Sequence, residues 1–229
     1  MVQEYTYDHA GRLLTVTHKV ENDPTVTLLS NTYNELGELV KKNLADGYED
    51  IDYTYNIRGW LTKINNLSDG TQKLFEMDLE YDNAPADFEA YNGNIGATAW
   101  KNPYESMVNR YNYDYDEMNR LTKALYSNGG ASNMGFDVTG LLHDLNGNIK
   151  TLQRKGNDEY DNPNVTIDNL SYTYASGNKL SKVTDTSGKT AGFKDGTNQT
   201  TEYDDNGNMK EDRNKGITSI TYNHLNLPK

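Results

Sequence analysis

Paired carboxylates are the first place to look for chemistry in this chain. Asp114 with Asp116, and Asp204 with Asp205, are close pairs. A glycoside hydrolase needs two such groups across one cleft, one to protonate the leaving oxygen and one to attack or activate water. In a period-two strand adjacent residues face opposite ways, so Asp204 and Asp205 point apart. Both pairs also open turns, where an aspartate is already explained by capping. No catalytic residue and no enzymatic activity is expected.

Metal chemistry is weighed next. Asp144-Leu145-Asn146-Gly147-Asn148 and Asp204-Asp205-Asn206-Gly207-Asn208 have the composition of calcium loops. An EF-hand loop needs Gly at its sixth position and Glu at its twelfth. Here Gly stands fourth, and Ile149 or Met209 stands sixth. Asp158, Glu159 and Asp161 are left as a minor candidate for loop-bound calcium. His9, His18, His143 and His224 have no neighbour at metal-ligand spacing, and cysteine is absent. Neither a Gly-x-Ser-x-Gly elbow nor a Walker-type phosphate loop occurs. The expectation is no metal and no cofactor.

Aromatic rings offer a third chemistry, stacking on sugars. The chain has 18 Tyr and 2 Trp. Eleven of those 18 Tyr occupy two positions of a recurring frame, which suits architecture better than ligand binding. Rings outside the frame are the better candidates for ligand contacts, chiefly Trp60, Trp100 and Tyr104. Tyr48, Tyr126 and Tyr160 are weaker ones.

The elements that position these residues come from a repeat. The frame reads Tyr, Asp or Asn, two free positions, Gly or Asn, one free position, and an apolar residue. It starts at Tyr7, Tyr33, Tyr55, Tyr115, His143, Tyr174, Tyr203 and Tyr222. Successive starts lie 26, 22, 60, 28, 31, 29 and 19 residues apart, so the gap of 60 hides a degenerate copy. Tyr81-Asp82 and Tyr91-Asn92-Gly93-Asn94-Ile95 are the candidates for it. The fifth position holds Gly11, Gly37, Gly59, Asn119, Gly147, Asn178, Gly207 and Asn226. Restriction to Gly and Asn predicts positive φ there, because these residues tolerate it best. An Asp or Asn after the Tyr caps the turn with its own side chain. Each copy is therefore a hairpin loop between strands such as Tyr53-Thr54-Tyr55 and Leu61-Thr62-Lys63-Ile64. Polar links join the hairpins, among them Glu21-Asn22-Asp23-Pro24, Asn66-Leu67-Ser68-Asp69-Gly70 and Asn157 to Pro163. Spans 82–94 and 101–108 are the longest irregular stretches. No shift of composition marks a boundary, so residues 1–229 read as one array.

Composition limits the partners. The chain has 229 residues and a mass of 25.9 kDa. Its formal charge is −12, which argues against nucleic acid and anionic membranes. An apolar fraction of 34% and a mean hydropathy of −0.90 would suggest disorder without the tyrosines. No stretch reaches the ~18–20 apolar residues of a membrane span, and no signal peptide is visible. A linear row of hairpins also leaves free strand edges, which predicts edge-mediated self-association.

The segments Tyr7-Asp8-x-x-Gly11-Arg12-Leu13, Tyr115-Asp116-x-x-Asn119-Arg120-Leu121 and Tyr203-Asp204-Asp205-Asn206-Gly207-Asn208 resemble the tyrosine–aspartate (YD) repeats of bacterial RHS proteins. Similar repeats occur in teneurins and in the shell-forming subunits of insecticidal toxin complexes. Tyr91-Asn92-Gly93-Asn94-Ile95 with Trp100-Lys101 also looks like a recurring RHS element. The resemblance spans nearly the whole chain. It implies an all-β fold, a linear array of about eight or nine antiparallel β-hairpins in a curved, spiralling sheet. It implies a structural wall around a carboxy-terminal toxin or effector, in a protein secreted from or displayed on a bacterium. The chain lacks the Asp-Pro-x-Gly element of the self-cleaving core, so we expect 1–229 to be a piece or short relative of a longer RHS polypeptide. That polypeptide or its cargo is then the partner. The alternative is a surface module recognising carbohydrate or a partner protein.

Overall fold

The computed structural model describes residues 1–67, 73–132, 135–194 and 201–229. Ser68, Asp69 and Gly70 of the predicted link lie outside the described residues. Among the described residues the regular structure is β-strand, with three short 3₁₀ turns and no α-helix, so none is long and apolar enough to cross a membrane. The strands are antiparallel and the sheet path has two ends, so it does not close.

The chain divides into two compact units. Unit 1 comprises Met1–Asn112 with Asn128–Gly130. Its strands are β1 (Val2–Tyr7), β2 (Leu13–Lys19), β3 (Val26–Tyr33), β4 (Leu39–Leu44), β5 (Glu49–Tyr55), β6 (Leu61–Ile64), β7 (Glu76–Glu80) and β8 (Ala97–Lys101). The start of β9 (Asn109–Tyr115) also belongs to it. Each strand pairs with the next in chain order. The tightest packing is on β8, where Ala97 and Ala99 are 0% and 2% exposed. Both residues sit mid-sheet, on a strand flanked by β7 and β9. The bidentate pair of Arg110 with Glu80, at 2.8 and 2.7 Å, spans β8 from either side.

Unit 2 comprises Tyr113–Ser127 and Ala131–Lys229. It holds most of β10 (Leu121–Asn128), then β11 (Ala131–Ser132), β12 (Val138–His143), β13 (Ile149–Gly156), β14 (Val165–Ala175) and β15 (Lys179–Asp185). A separate two-stranded ribbon follows, β16 (Glu202–Tyr203) with β17 (Met209–Glu211). Ala124, Leu141, Ile167, Leu170 and Val183 form its buried apolar set. On β14 Ile167 and Leu170 stand three residues apart, an odd step that a register shift between Arg154 and Lys155 accommodates by leaving Ile167 unopposed.

The hairpins carry a feature that simple alternation does not announce. In six copies a β-bulge follows the turn at the same place. Tyr7 pairs with Leu13 but Thr6 with Thr15, leaving Leu14 unopposed. The same shift leaves Val40, Thr62, Lys150, Ser181 and Lys210 unopposed. A bulge of this kind adds twist and re-aims the strand beyond it. The degenerate copy uses both of its candidates. β7 and β8 pair without a bulge and are joined by 81–96, with Tyr81 at the strand end and an Asn92 turn later in the loop.

Candidate functional site

The repeated turn is the chemically organised part of the molecule. In the first copy Asp8 Oδ1 accepts the backbone N–H groups of Ala10 and Arg12, at 2.8 and 2.9 Å. The Gly11 N–H donates to the Asp8 carbonyl at 3.0 Å. The same pair of acceptances recurs at Asn34, Asn56, Asp116, Asp144, Asp204 and Asn223. Fifth positions lie at φ between +57° and +88° in all eight copies, from Asn226 to Gly37. The copy starting at Tyr174 has Ala175 in second place and no oxygen to offer. It closes instead through a 3₁₀ turn at Ser176–Asn178, with Gly177 and Asn178 both at positive φ.

The sixth residue completes the turn. Arg12 Nε donates to Asp8 Oδ2 at 2.6 Å, and Arg120 does the same for Asp116 at 2.7 Å. Asn148 and Asn208 donate their side-chain amides to Asp144 and Asp204, both at 2.9 Å. These donors stabilise the ionised carboxylates. The Arg12 and Arg120 backbone N–H groups lead in holding Asp8 and Asp116 below the usual 3.8. For Asp144 and Asp204 the leading cause is the side-chain amide of Asn148 or Asn208. In each carboxylate both oxygens are occupied by the turn itself, which explains the calcium-like composition without a cation.

An eighth turn with this pair of acceptances lies outside the eight copies of the frame. Asp158 Oδ1 accepts from the N–H groups of Tyr160 and Asn162 at 3.0 and 2.9 Å, and Asp161 sits at φ +60°. Asn162 donates its amide to Asp158 Oδ2 at 3.1 Å, and Lys189 donates to the same oxygen at 3.1 Å. Asn162 leads in pushing the Asp158 carboxyl far below the ordinary value. The signal was present: Asp158-x-x-x-Asn162 has the spacing of Asp144-x-x-x-Asn148 and Asp204-x-x-x-Asn208. Asn157 in place of Tyr, and Pro163 in place of an aliphatic residue, hid it.

Successive copies are tied to one another by the first and sixth residues. Tyr33 donates its hydroxyl to the Leu13 carbonyl at 3.0 Å, and Tyr55 to Leu39 at 3.0 Å. Tyr81 reaches Leu61 at 2.9 Å, Tyr174 reaches Ile149 at 2.8 Å, Tyr203 reaches Leu180 at 2.8 Å and Tyr222 reaches Met209 at 2.7 Å. The acceptor is always the seventh residue of the copy before. Its carbonyl lies outside the ladder, because pairing with the next hairpin starts two residues later, at Thr15, Lys41, Lys63 and Thr151. The tyrosine ring fills the opening and its hydroxyl satisfies the carbonyl. Burial raises the hydroxyl pKa of Tyr55, Tyr81, Tyr174 and Tyr203, so the donor proton stays in place. Tyr115 is likewise half-buried and raised by burial. Tyr7 differs, being 58% exposed.

Sixth residues reach forward across the same seam. The Arg12 guanidinium lies 4.7 Å above the Tyr33 ring, and Lys179 lies 5.6 Å from the Tyr203 ring. Arg120 donates to the Asp144 carbonyl at 3.0 Å. Asn148 and Asn208 donate to Asn178 and Asn226, each at 3.0 Å. Polar groups at the turns are thus consumed in joining repeat to repeat.

The three rings singled out as ligand contacts have different surroundings. Trp60 packs 5.1 Å from Tyr81, under the Arg58 guanidinium at 5.0 Å. A Cβ on Gly93 would come within 3.0 Å of its ring. Trp100 stacks on Tyr111 at 5.7 Å. Tyr104 is 95% exposed and edges a cleft of about 340 Å³ lined by Lys73, Glu76, Lys101 and Glu105. The carboxylate pairs do not converge: Asp114 pairs with Lys123 at 3.1 Å while Asp116 is held by Arg120. Among the described residues no group of three or more His, Asp or Glu side chains is placed to hold a metal.

No family model matches the sequence, and no curated protein does. Solved structures do match in fold. One is a Tc holotoxin pore of Photorhabdus luminescens, at 16% identity and a TM-score of 0.60. That match covers 99% of this chain and 12% of the other. A second is TcdB2–TccC3 without its hypervariable C-terminal region, at 16% identity and a TM-score of 0.57. It covers 99% of this chain and 11% of that one. The chain therefore has the fold of a small part of Tc toxin complex proteins, along its whole length.

Proposed function

We propose that the chain is a non-enzymatic structural module, a section of the wall of an RHS-type β-shell. In this reading the wall encloses or presents a carboxy-terminal toxin or effector of a longer, secreted bacterial polypeptide. One observation carries it. The side chains that attract chemical interpretation are spent on fixing each hairpin and fastening it to the next. A module built that way has extension as its work. The fold likeness to chains about eight times longer supports the same reading. The test is protease protection of the native polypeptide. A downstream segment that survives until the repeat region is unfolded supports the wall. A downstream segment digested at once contradicts it.

A second reading is favoured by Tyr104 alone. Its exposed ring beside a cleft with two lysines and two acids is the type of surface that holds a hydroxyl-rich ligand such as a glycan. A glycan panel probed with the chain and with Tyr104→Ala separates this reading from the first. Binding lost in the variant supports it, and no binding by either protein removes it.

A further inference from the structure

We propose that Asn206-Gly207 is a site of spontaneous modification, deamidation to isoaspartate, and that the conversion unfastens the copy starting at Tyr222 from the copy starting at Tyr203. The proposal stands on the chemistry of one turn and not on the shell reading.

The sequence has four Asn-Gly steps, at Asn92, Asn128, Asn146 and Asn206. In such a step the glycine backbone nitrogen, once deprotonated, attacks the side-chain carbonyl carbon of the asparagine. Glycine has no side chain to block the approach. A C–N bond forms and closes a succinimide ring, and the side-chain nitrogen leaves as ammonia. Water then opens the ring at one of its two carbonyls. Attack at the former backbone carbonyl gives isoaspartate, in which the main chain runs through the side chain. Attack at the other carbonyl gives aspartate. Water is the one co-reactant. Ring closure needs a free asparagine side chain and a backbone turned out of the hairpin loop, so the fold sets the rate through local opening.

Three of the four steps are held. The Asn146 amide donates to Asn178 Oδ1 at 3.0 Å. The Asn128 amide donates to Asn109 Oδ1 at 2.9 Å, and the Gly129 N–H donates to the Val108 carbonyl at 2.9 Å. Asn92 Oδ1 accepts the Asn94 N–H at 3.0 Å, and a Cβ on Gly93 would meet the Trp60 ring at 3.0 Å. Asn206 is exposed, and its side chain makes no hydrogen bond among the described residues. The strands beside it are short as well. Asn146 stands between β12 and β13, of six and eight residues in the main sheet. Asn206 stands between β16 and β17, of two and three residues in a sheet of their own. A lone two-stranded ribbon is marginal, so this turn opens most readily.

The product matters because a fastening residue lies two places on. Asn208 donates its N–H to Asp204 Oδ1 at 2.8 Å and its amide to Asp204 Oδ2 at 2.9 Å. The same amide donates to Asn226 Oδ1 at 3.0 Å, across the seam between the two copies. Isoaspartate adds a methylene to the backbone inside this turn and a carboxylate beside Asp204 and Asp205. Asn208 is thereby carried off its acceptors.

The test is peptide mapping by mass spectrometry of the folded chain aged at physiological temperature and mildly alkaline pH. Isoaspartyl methyltransferase with its methyl donor is the probe for isoaspartate. Asn206 is expected to convert several-fold faster than Asn92, Asn128 and Asn146, mainly to isoaspartate. In the urea-unfolded chain the four are expected to convert at similar rates. Asn178→Gly suits the φ of +59° at that position and removes the acceptor of the Asn146 amide, so conversion at Asn146 is expected to rise several-fold. Limited proteolysis between Met209 and Tyr222 is expected to be faster in the aged chain than in the fresh one. Ageing of Asn206→Ser is expected to leave that rate unchanged. An intact Asn206, or equal rates at the four steps of the folded chain, overturns the site. A rate order that persists in urea, or an Asn146 unmoved by Asn178→Gly, overturns the control by the fold. A proteolysis rate that ageing leaves unchanged, or raises equally in Asn206→Ser, overturns the unfastening.

Discussion

The Tyr55 hydroxyl donates to the Leu39 carbonyl at 3.0 Å, across the seam between one hairpin and the next. The contact unites two facts that look unrelated in the sequence. One is a tyrosine in the first position of seven of the eight copies. The other is a bulge after it, which carries the chain away from its neighbour and leaves a carbonyl unpaired. The hydroxyl closes that gap, and five more copies repeat the arrangement.

Removal of the hydroxyl should therefore be costly where the latch exists and harmless where it does not. Tyr55→Phe and Tyr174→Phe leave a part-buried carbonyl without its donor, which costs about 1–3 kcal/mol. Tyr7→Phe is expected within about 0.5 kcal/mol of the parent, as for an ordinary surface change. Urea midpoints of the three variants make the comparison. Equal losses at all three positions would contradict the latch.

The covering of one turn by the previous copy can be tested at glycine. Gly11 and Gly37 share positive φ, so Ala is strained at both, by roughly 1–2 kcal/mol. Only at Gly37 does the new Cβ approach a neighbour, the Arg12 guanidinium at 2.9 Å. Gly37→Ala should lose more stability than Gly11→Ala, and Arg12→Ala should narrow the difference. Thermal unfolding of the three variants and the double variant decides it.

Acid should weaken the fold through the turn aspartates. In the folded chain Asp144, Asp158 and Asp204 hold their carboxyls below the ordinary 3.8. Their contribution is complete above that unfolded value and is lost as pH falls through the lower folded values. Urea midpoints are expected to be level from about pH 5 to 8 and to fall below about pH 4. In Asp144→Asn with Asp158→Asn the Oδ1 acceptors of the backbone N–H groups remain, the Oδ2 acceptors of Asn148, Asn162 and Lys189 are lost, and two titrations are removed. That variant should show a shallower acid decline, and an unchanged decline would assign it to other groups.

Trp60 and Tyr104 should separate packing from surface. Trp60→Ala removes a ring held between Tyr81, Arg58 and Gly93, at a loss of up to ~3 kcal/mol. Tyr104→Ala should leave stability within about 0.5 kcal/mol, because the ring is exposed. Circular dichroism melts of both variants supply the check.

Much of the fold is legible in the sequence because one frame carries both the turn and the strands beside it. The Gly-or-Asn column marks positive φ, and the Asp-or-Asn column marks a side-chain cap. The tyrosine column points to cross-strand packing, and spacing alone does not announce the role of its hydroxyl. A clue existed, since none of the four Phe stands in the first position. The bulge leaves no compositional mark, because the extra residue is Leu14 in one copy, Thr62 in another and Lys150 in a third. The turn at Asp158 departs from the frame at its first, fifth and seventh positions, with Asn157, Asp161 and Pro163. The ligand candidates are the rings that stand off register. That criterion finds rings outside the frame, but it does not tell a packed Trp60 from an exposed Tyr104.

The most direct test of the wall is the size of the native polypeptide in the source cells, by immunoblot with antibody to this segment. A band far above 25.9 kDa is predicted, with these residues a section of a larger shell. A single band at 25.9 kDa would contradict the account, because an array of this length standing alone has nothing to enclose.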